Sequence, residues 1–168
     1  MIKEIYVIII MELTVNVMKF DTPNKAGRIY SKEVMEKAVK QFNENNNKFG
    51  ILGTSECSDP TTISLGEISH KVKNMRIEED HLKCDIEVLN TPKGNTLNAL
   101  LESGAKLAIA PRMNIDIQEE KDEEGNVILD ENGKPKTYIA DADIISVNVI
   151  PNEYRTFEDN TIIIPDKT

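Results

Sequence analysis

The fold predicted for this sequence is α+β, a mostly antiparallel, barrel-like core of about six or seven strands with two main helices. Three observations carry that prediction. Several segments alternate apolar and polar residues with a period of two, as half-buried strands do. Only two stretches combine a helix cap with an apolar stripe at helical spacing. The length, 168 residues, suits one domain spanning 1–168, large enough to bury roughly two-thirds of its unfolded surface without a metal or disulfide.

The elements follow in order. The first twenty residues read as strand: Leu13, Val15 and Val17 alternate with Thr14 and Asn16 after an Ile-rich opening. That opening is not read as a signal peptide. Its uncharged run from Ile5 to Met11 is seven residues, Glu4 precedes it, and no small-residue cleavage site follows. Residues 1–11 are a strand or an extension, with Met11 an alternative start. Asp21 to Gly27 is a loop by composition. Ser31 caps a helix whose stripe is Val34, Met35, Ala38, Val39 and Phe42, and which runs out in Asn43–Asn47. Gly53 to Thr62 is a polar loop, and strand character resumes from Ile63 to Ile77, interrupted at Gly66.

In the strand from His81 to Leu89, Leu82, Cys84, Ile86 and Val88 face one way and Lys83, Asp85 and Glu87 the other. Thr91 caps the second helix, Pro92 takes its first position, and Leu97, Leu100 and Leu101 form its inner face before Gly104 stops it. Two strand pieces, 106–110 and 114–118, flank Pro111. An acidic hairpin with turns at Gly125 and Gly133 follows, then a strand from Tyr138 to Ile150 with Ile145, Val147 and Val149 inward. Residues 156–168 form a tail. No internal repeat or long linker is apparent.

Composition narrows the function. Apolar residues make up 39% and charged residues 29%, the balance of a folded rather than a disordered chain. The formal charge of −9 argues against nucleic acid or an anionic membrane as the main partner, since both need clustered positive charge. With no Trp, four Tyr and four Phe, base-stacking platforms are not expected either. No cofactor is called for. Cys57 and Cys84 make no disulfide framework. Nor do they form a zinc set with His70 and His81, because an odd offset along a strand sends His81 and Cys84 to opposite faces. Glu120, Asp122, Glu124, Gly125 and Glu131 mimic a calcium loop, but position one is normally Asp and the flanks read as strands, so a solvated acidic hairpin is the better account.

A nucleophile needs a base beside it, and only His70 and His81 offer an imidazole. His81 opens a strand next to the acidic turn Glu78–Asp80. His70, in Glu-Ile-Ser-His-Lys-Val, reads as a half-buried structural hydrogen-bonder more readily than as a base.

The order of segments then resembles a known family. Asn24-Lys-Ala-Gly-Arg-Ile-Tyr30 before the Ser31 helix is similar to the "N-x-x-G-R-x-Y" opening of phage prohead (capsid-maturation) serine proteases. Leu65-Gly-Glu-Ile-Ser-His-Lys-Val72 resembles that family's "V-S-H" strand, and Asp85 to Gly94 its "I-L-x-T-P-x-G" strand-to-helix junction. Leu101 to Ile109 resembles the helix end and nucleophile strand, and Ile144 to Pro151 the closing "D-x-V-x-x-P" strand. Five motifs in order, over roughly residues 12–155, imply a herpesvirus-assemblin-like fold and a place in the assembling capsid.

The resemblance also locates what is missing. Where active members carry "G-H-P", with His as general base, this chain has Ser58-Asp59-Pro60. Where they carry "S-S-R-G", it has Ala110-Pro111-Arg112-Met113. Alanine has no nucleophilic atom, and Pro111 lacks an N–H for an oxyanion hole. Asp59, with an ordinary pKa near 3.9, is a poor base for a hydroxyl. Arg112 is expected to pair with a carboxylate such as Asp143. The expectation is a catalytically inactive homologue acting as an auxiliary capsid or scaffold-associated protein of the virion. Its partners would be the major capsid protein or the internal scaffold, and self-association is compatible with this. Two alternatives remain: a maturation protease relocated to Cys57 with His70 as base, and a regulatory subunit of a separate protease. A hydroxyl or thiol touching His70 or His81 inside a cleft would mark an active arrangement.

Overall fold

A computed structural model describes residues 11–45, 48–53 and 64–165. Its strands are β1 (Glu12–Lys19), β2 (Phe49–Ile51), β3 (Ile68–Glu78), β4 (His81–Val88), β5 (Leu107–Glu119) and β6 (Thr137–Pro151), and its helices are α1 (Lys32–Glu44) and α2 (Pro92–Glu102). The expected α+β class, six described strands and two helices are all present. Residues 1–10, and with them the predicted opening strand, lie outside the described residues.

Both helices start where their caps predict. Ser31 Oγ accepts the Val34 N–H, and Met35, Ala38, Val39 and Phe42 are buried. Thr91 Oγ1 accepts the Gly94 N–H and also donates to Ile68 O, fixing α2 on the start of β3. In β4 burial alternates as the sequence indicates, with Leu82, Cys84, Ile86 and Val88 inside. Two features were not anticipated. β2, only three residues long, falls between the end of the first helix and the polar loop, where the sequence suggested no element. β5 is one continuous strand through Pro111, because a two-stranded sheet leaves an outer edge that needs no N–H there.

The barrel is not closed by hydrogen-bonded ladders. β1-β4-β3-β2 form one antiparallel sheet and β5-β6 another. At one seam the Gly53 N–H donates to Val149 O at 2.6 Å and the Ile51 N–H to Asn148 Oδ1 at 3.2 Å. At the other a side chain does the joining: buried Asn160 Nδ2 donates to Val17 O of β1 at 2.7 Å and to Ile109 O of β5 at 2.9 Å. One amide thus replaces a strand pairing. Asn160→Ala would strand two buried carbonyls and cost about 3 kcal/mol, read as a drop in the urea midpoint. Asn16→Ala, which removes a single bond to Asp159 O near the surface, should cost about 1 kcal/mol or less. The segment after β6, read as a tail, packs inward through Phe157 and Asn160.

Bulges explain where inward positions were misassigned. In the β5–β6 register Arg112 faces Ser146 and Met113 faces Ile144, so Ile145 is the extra residue. Ile145 is therefore only half-buried, while Ile144 and everything from Ser146 to Ile150 are buried. A second bulge lies in β3, where Gly50 pairs with His70 and Ile51 with Ile68, skipping Ser69. The acidic hairpin is built of two like turns eight residues apart, a short repeat missed in the sequence. Asp122 Oδ1 accepts the Glu124 and Asn126 N–H groups, and Asp130 Oδ1 those of Asn132 and Lys134.

Candidate functional site

The bulge at Ser69 places three consecutive residues, Ile68, Ser69 and His70, inside the protein. His70 is fully buried. Its Nε2 lies 2.6 Å from Val147 O and its Nδ1 2.7 Å from Ser69 Oγ. A carbonyl can only accept, so Nε2 carries the proton, and Nδ1 accepts from the Ser69 hydroxyl. Burial pushes the imidazole pKa down to about 4, and the bond to Val147 O only partly opposes it. At neutral pH the ring is uncharged with both nitrogens engaged. It is buried completely rather than by half, as the sequence had suggested.

Gly50 makes this seat possible. A Cβ there would overlap both His70 Nε2 and Val147 O, so the imidazole reaches β6 only because residue 50 has no side chain. Across β6, Val147 is opposite Pro111 and Asn148 opposite Ala110. His70 and the Ala110–Pro111 pair therefore meet the same stretch of β6 from two sides. Ser69 stood out in the sequence only as part of the "V-S-H"-like strand and Gly50 not at all; a Gly in a short apolar run beside a buried His is the signal that could have found it.

Ser69 Oγ against His70 is a hydroxyl–imidazole contact, the pairing from which a nucleophile is made. Here both residues are fully buried, and the third member is a neutral carbonyl rather than a carboxylate. The arrangement satisfies buried polar atoms. Nearby Ser146 Oγ is buried with no partner among the described residues. Cys57 and Asp59 lie outside the described residues, as do Ser58 and Pro60. Arg112 stands opposite Ser146 on β5, and Asp143 opposite Asn114.

The other candidates separate. His81 sits between two carboxylates, Nδ1 at 2.7 Å from Asp80 and Nε2 at 2.9 Å from Asp159, tying the β3–β4 turn to the segment after β6. The hydrogen bond from His81 holds the Asp80 carboxyl below its ordinary range. Cys84, on the opposite face of β4, is buried, and that burial pushes its thiol up to about 12, so it stays protonated and inert. The acidic hairpin is flanked by strands, and Asp122 spends one oxygen on its own turn.

The family-like motifs now have physical roles. In Asn24–Tyr30, Asn24 Oδ1 accepts the Ala26 and Arg28 N–H groups and Gly27 takes φ +80°, so the motif is an Asn-capped turn that delivers Tyr30 to the core against Phe157. The other four fall on the start of β3, the β4–α2 junction, the α2–β5 junction and β6.

The comparison with solved structures decides the fold. The bacteriophage T4 capsid assembly protease gp21 matches with a TM-score of 0.61, over 84% of this chain and 82% of that one, at 13% identity. The two chains share a fold. The sequence matches no protein-family model and no curated protein. The likeness bears out the architecture expected from the five motifs, with seams in place of full closure. No helix among the described residues is long and apolar enough to cross a membrane.

Proposed function

We propose that this chain is a catalytically silent relative of the capsid-maturation proteases, serving as a structural protein of a tailed-phage particle bound to its shell or internal scaffold. The observation that carries the reading is the pair Ala110–Pro111 on β5, within a fold shared with a capsid assembly protease. That strand offers neither a hydroxyl nor, at residue 111, an N–H to an oxyanion. The imidazole nearest to it is neutral, sealed in, and bonded at both nitrogens. A protease that recognises capsid chains needs to lose only its chemistry, not its binding surfaces, to become such a protein.

Quantitative mass spectrometry of purified particles tests this. The expected result is the chain in mature particles, at a fixed ratio to the shell protein. Absence from mature particles, with co-purification of a separate intact protease, would instead make it a regulator of that protease. Scaffold cleavage lost on Cys57→Ala would make it an enzyme.

A further inference from the structure

A groove of about 640 Å³ runs between the start of α1 and the β5–β6 ribbon. Ile29, Ile117 and Tyr138 line it and are 50%, 47% and 44% exposed, an unusual concentration of large apolar side chains at one surface site. Val34 and Ile139 also line it, and Glu33 and Glu120 contribute carboxylates, with the guanidinium of Arg28 beside them. Four consecutive β6 residues, Thr137 to Ala140, border the groove. Ile139 is opposite Ile117 and Asp141 opposite Asp116, so Ala140 is an extra residue here, and the groove takes in both this irregular stretch of β6 and Ile117 beside it on β5. Among the described residues, β6 is paired over this stretch on one side only, to β5. Its outer edge, unpaired here by any described strand, is where a further strand can add.

Charge indicates what would lie there. Residues 114–143 hold ten Asp and Glu against three Lys, seven of the nine net negative charges of the chain. An acidic segment would be repelled, and a basic one drawn in. We propose that this groove binds an extended peptide segment alternating aliphatic and basic residues, added as a strand to the β6 edge at residues 137–140. Its aliphatic side chains fill the space between Ile29, Ile117 and Tyr138, and its Lys or Arg side chains meet Glu33, Glu120 and the acidic ribbon. Backbone pairing supplies affinity, and the pocket and carboxylates supply selectivity. The assignment of such a segment to a shell or scaffold protein rests on the function proposed above; the groove's chemistry does not.

The test uses the full chain and a fluorescein-labelled nine-residue peptide of alternating Val and Lys, followed by fluorescence anisotropy. Binding should weaken at least tenfold for a Val/Glu peptide or a Ser/Lys peptide, and fall as salt rises. Ile117→Asp, at an exposed position, should weaken it at least tenfold while the circular dichroism stays unchanged. Amide exchange at 137–140 should slow when the peptide binds. Equal binding of the Ser/Lys peptide, or equal loss from Glu123→Lys on the distal turn, would reduce the effect to general charge attraction and overturn the proposal. Dimerisation seen by sedimentation and abolished by Ile117→Asp, with no peptide binding, would overturn it in favour of a second copy of the chain. These outcomes are independent of whether the chain is found in particles.

Discussion

Gly50→Ala is expected to be among the most damaging single substitutions in this protein, costing about 4 kcal/mol or more and leaving little folded material at 37 °C. The added methyl would overlap Val147 O, which belongs to the backbone of a strand buried on both faces, and His70 Nε2, which is bonded to that oxygen. Neither can retreat. If β2 shifts, it abandons the Gly53 bond to Val149 and the Ile51 bond to Asn148, which join the two sheets on that side. If the imidazole turns, Val147 O and the Ser69 hydroxyl lose their partner in a dry interior. Gly66→Ala, where an added Cβ meets nothing, should change stability by less than about 0.5 kcal/mol. Urea unfolding of the two variants measures the contrast.

The second large effect depends on pH. The folded pKa of His70, about 4, lies below the ordinary histidine value of 6.5. The unfolded chain therefore binds the proton more tightly. The resulting stability is fully present above pH 6.5, declines as pH falls, and is spent once pH drops through 4. The loss amounts to about 2 kcal/mol by pH 5 and about 3 kcal/mol in full. His70→Phe removes the titration and orphans Val147 O and Ser69 Oγ, so it should be less stable than the wild type at pH 7 by about 3 kcal/mol. The gap should shrink steadily toward pH 5. The acidic groups held below their ordinary range contribute at lower pH: Asp80 through its bond to His81, Glu158 through bonds from Lys25 and Arg155. Parallel stability curves from pH 7 to pH 5 would mean that His70 titrates normally in the folded protein, and the sealed-imidazole account would fail.

How much of this was legible in the sequence depends on the range of the interaction. Ser31, Thr91 and Pro92 act within one helical turn, and alternation in β4 is local, so those elements were readable residue by residue. Bulges depend on the partner strand. Ile145 was placed inward because an unbroken alternation was assumed, and the register across β5 breaks it there. β2 holds its place through His70, Asn148 and Val149, all distant in sequence, and three residues carry no period to detect. Asn160 reads as a polar residue near a chain end, yet it joins two sheets. At the site, the sequence indicated that Ala110 and Pro111 lack the atoms for acyl transfer, and that His70 makes structural hydrogen bonds. It underestimated that histidine's burial, because the space it occupies is created by a glycine twenty residues earlier.

The central claim, a protease-like scaffold without proteolysis, is tested most directly by mapping new chain termini. The purified chain would be incubated with the shell and scaffold proteins of its own phage, and fresh N-termini identified by mass spectrometry. The account predicts no termini beyond those of a chain-free control, with the wild type and Cys57→Ala indistinguishable. Discrete cleavage sites that appear only when the chain is added, and vanish with Cys57→Ala or another single nucleophile substitution, would contradict it.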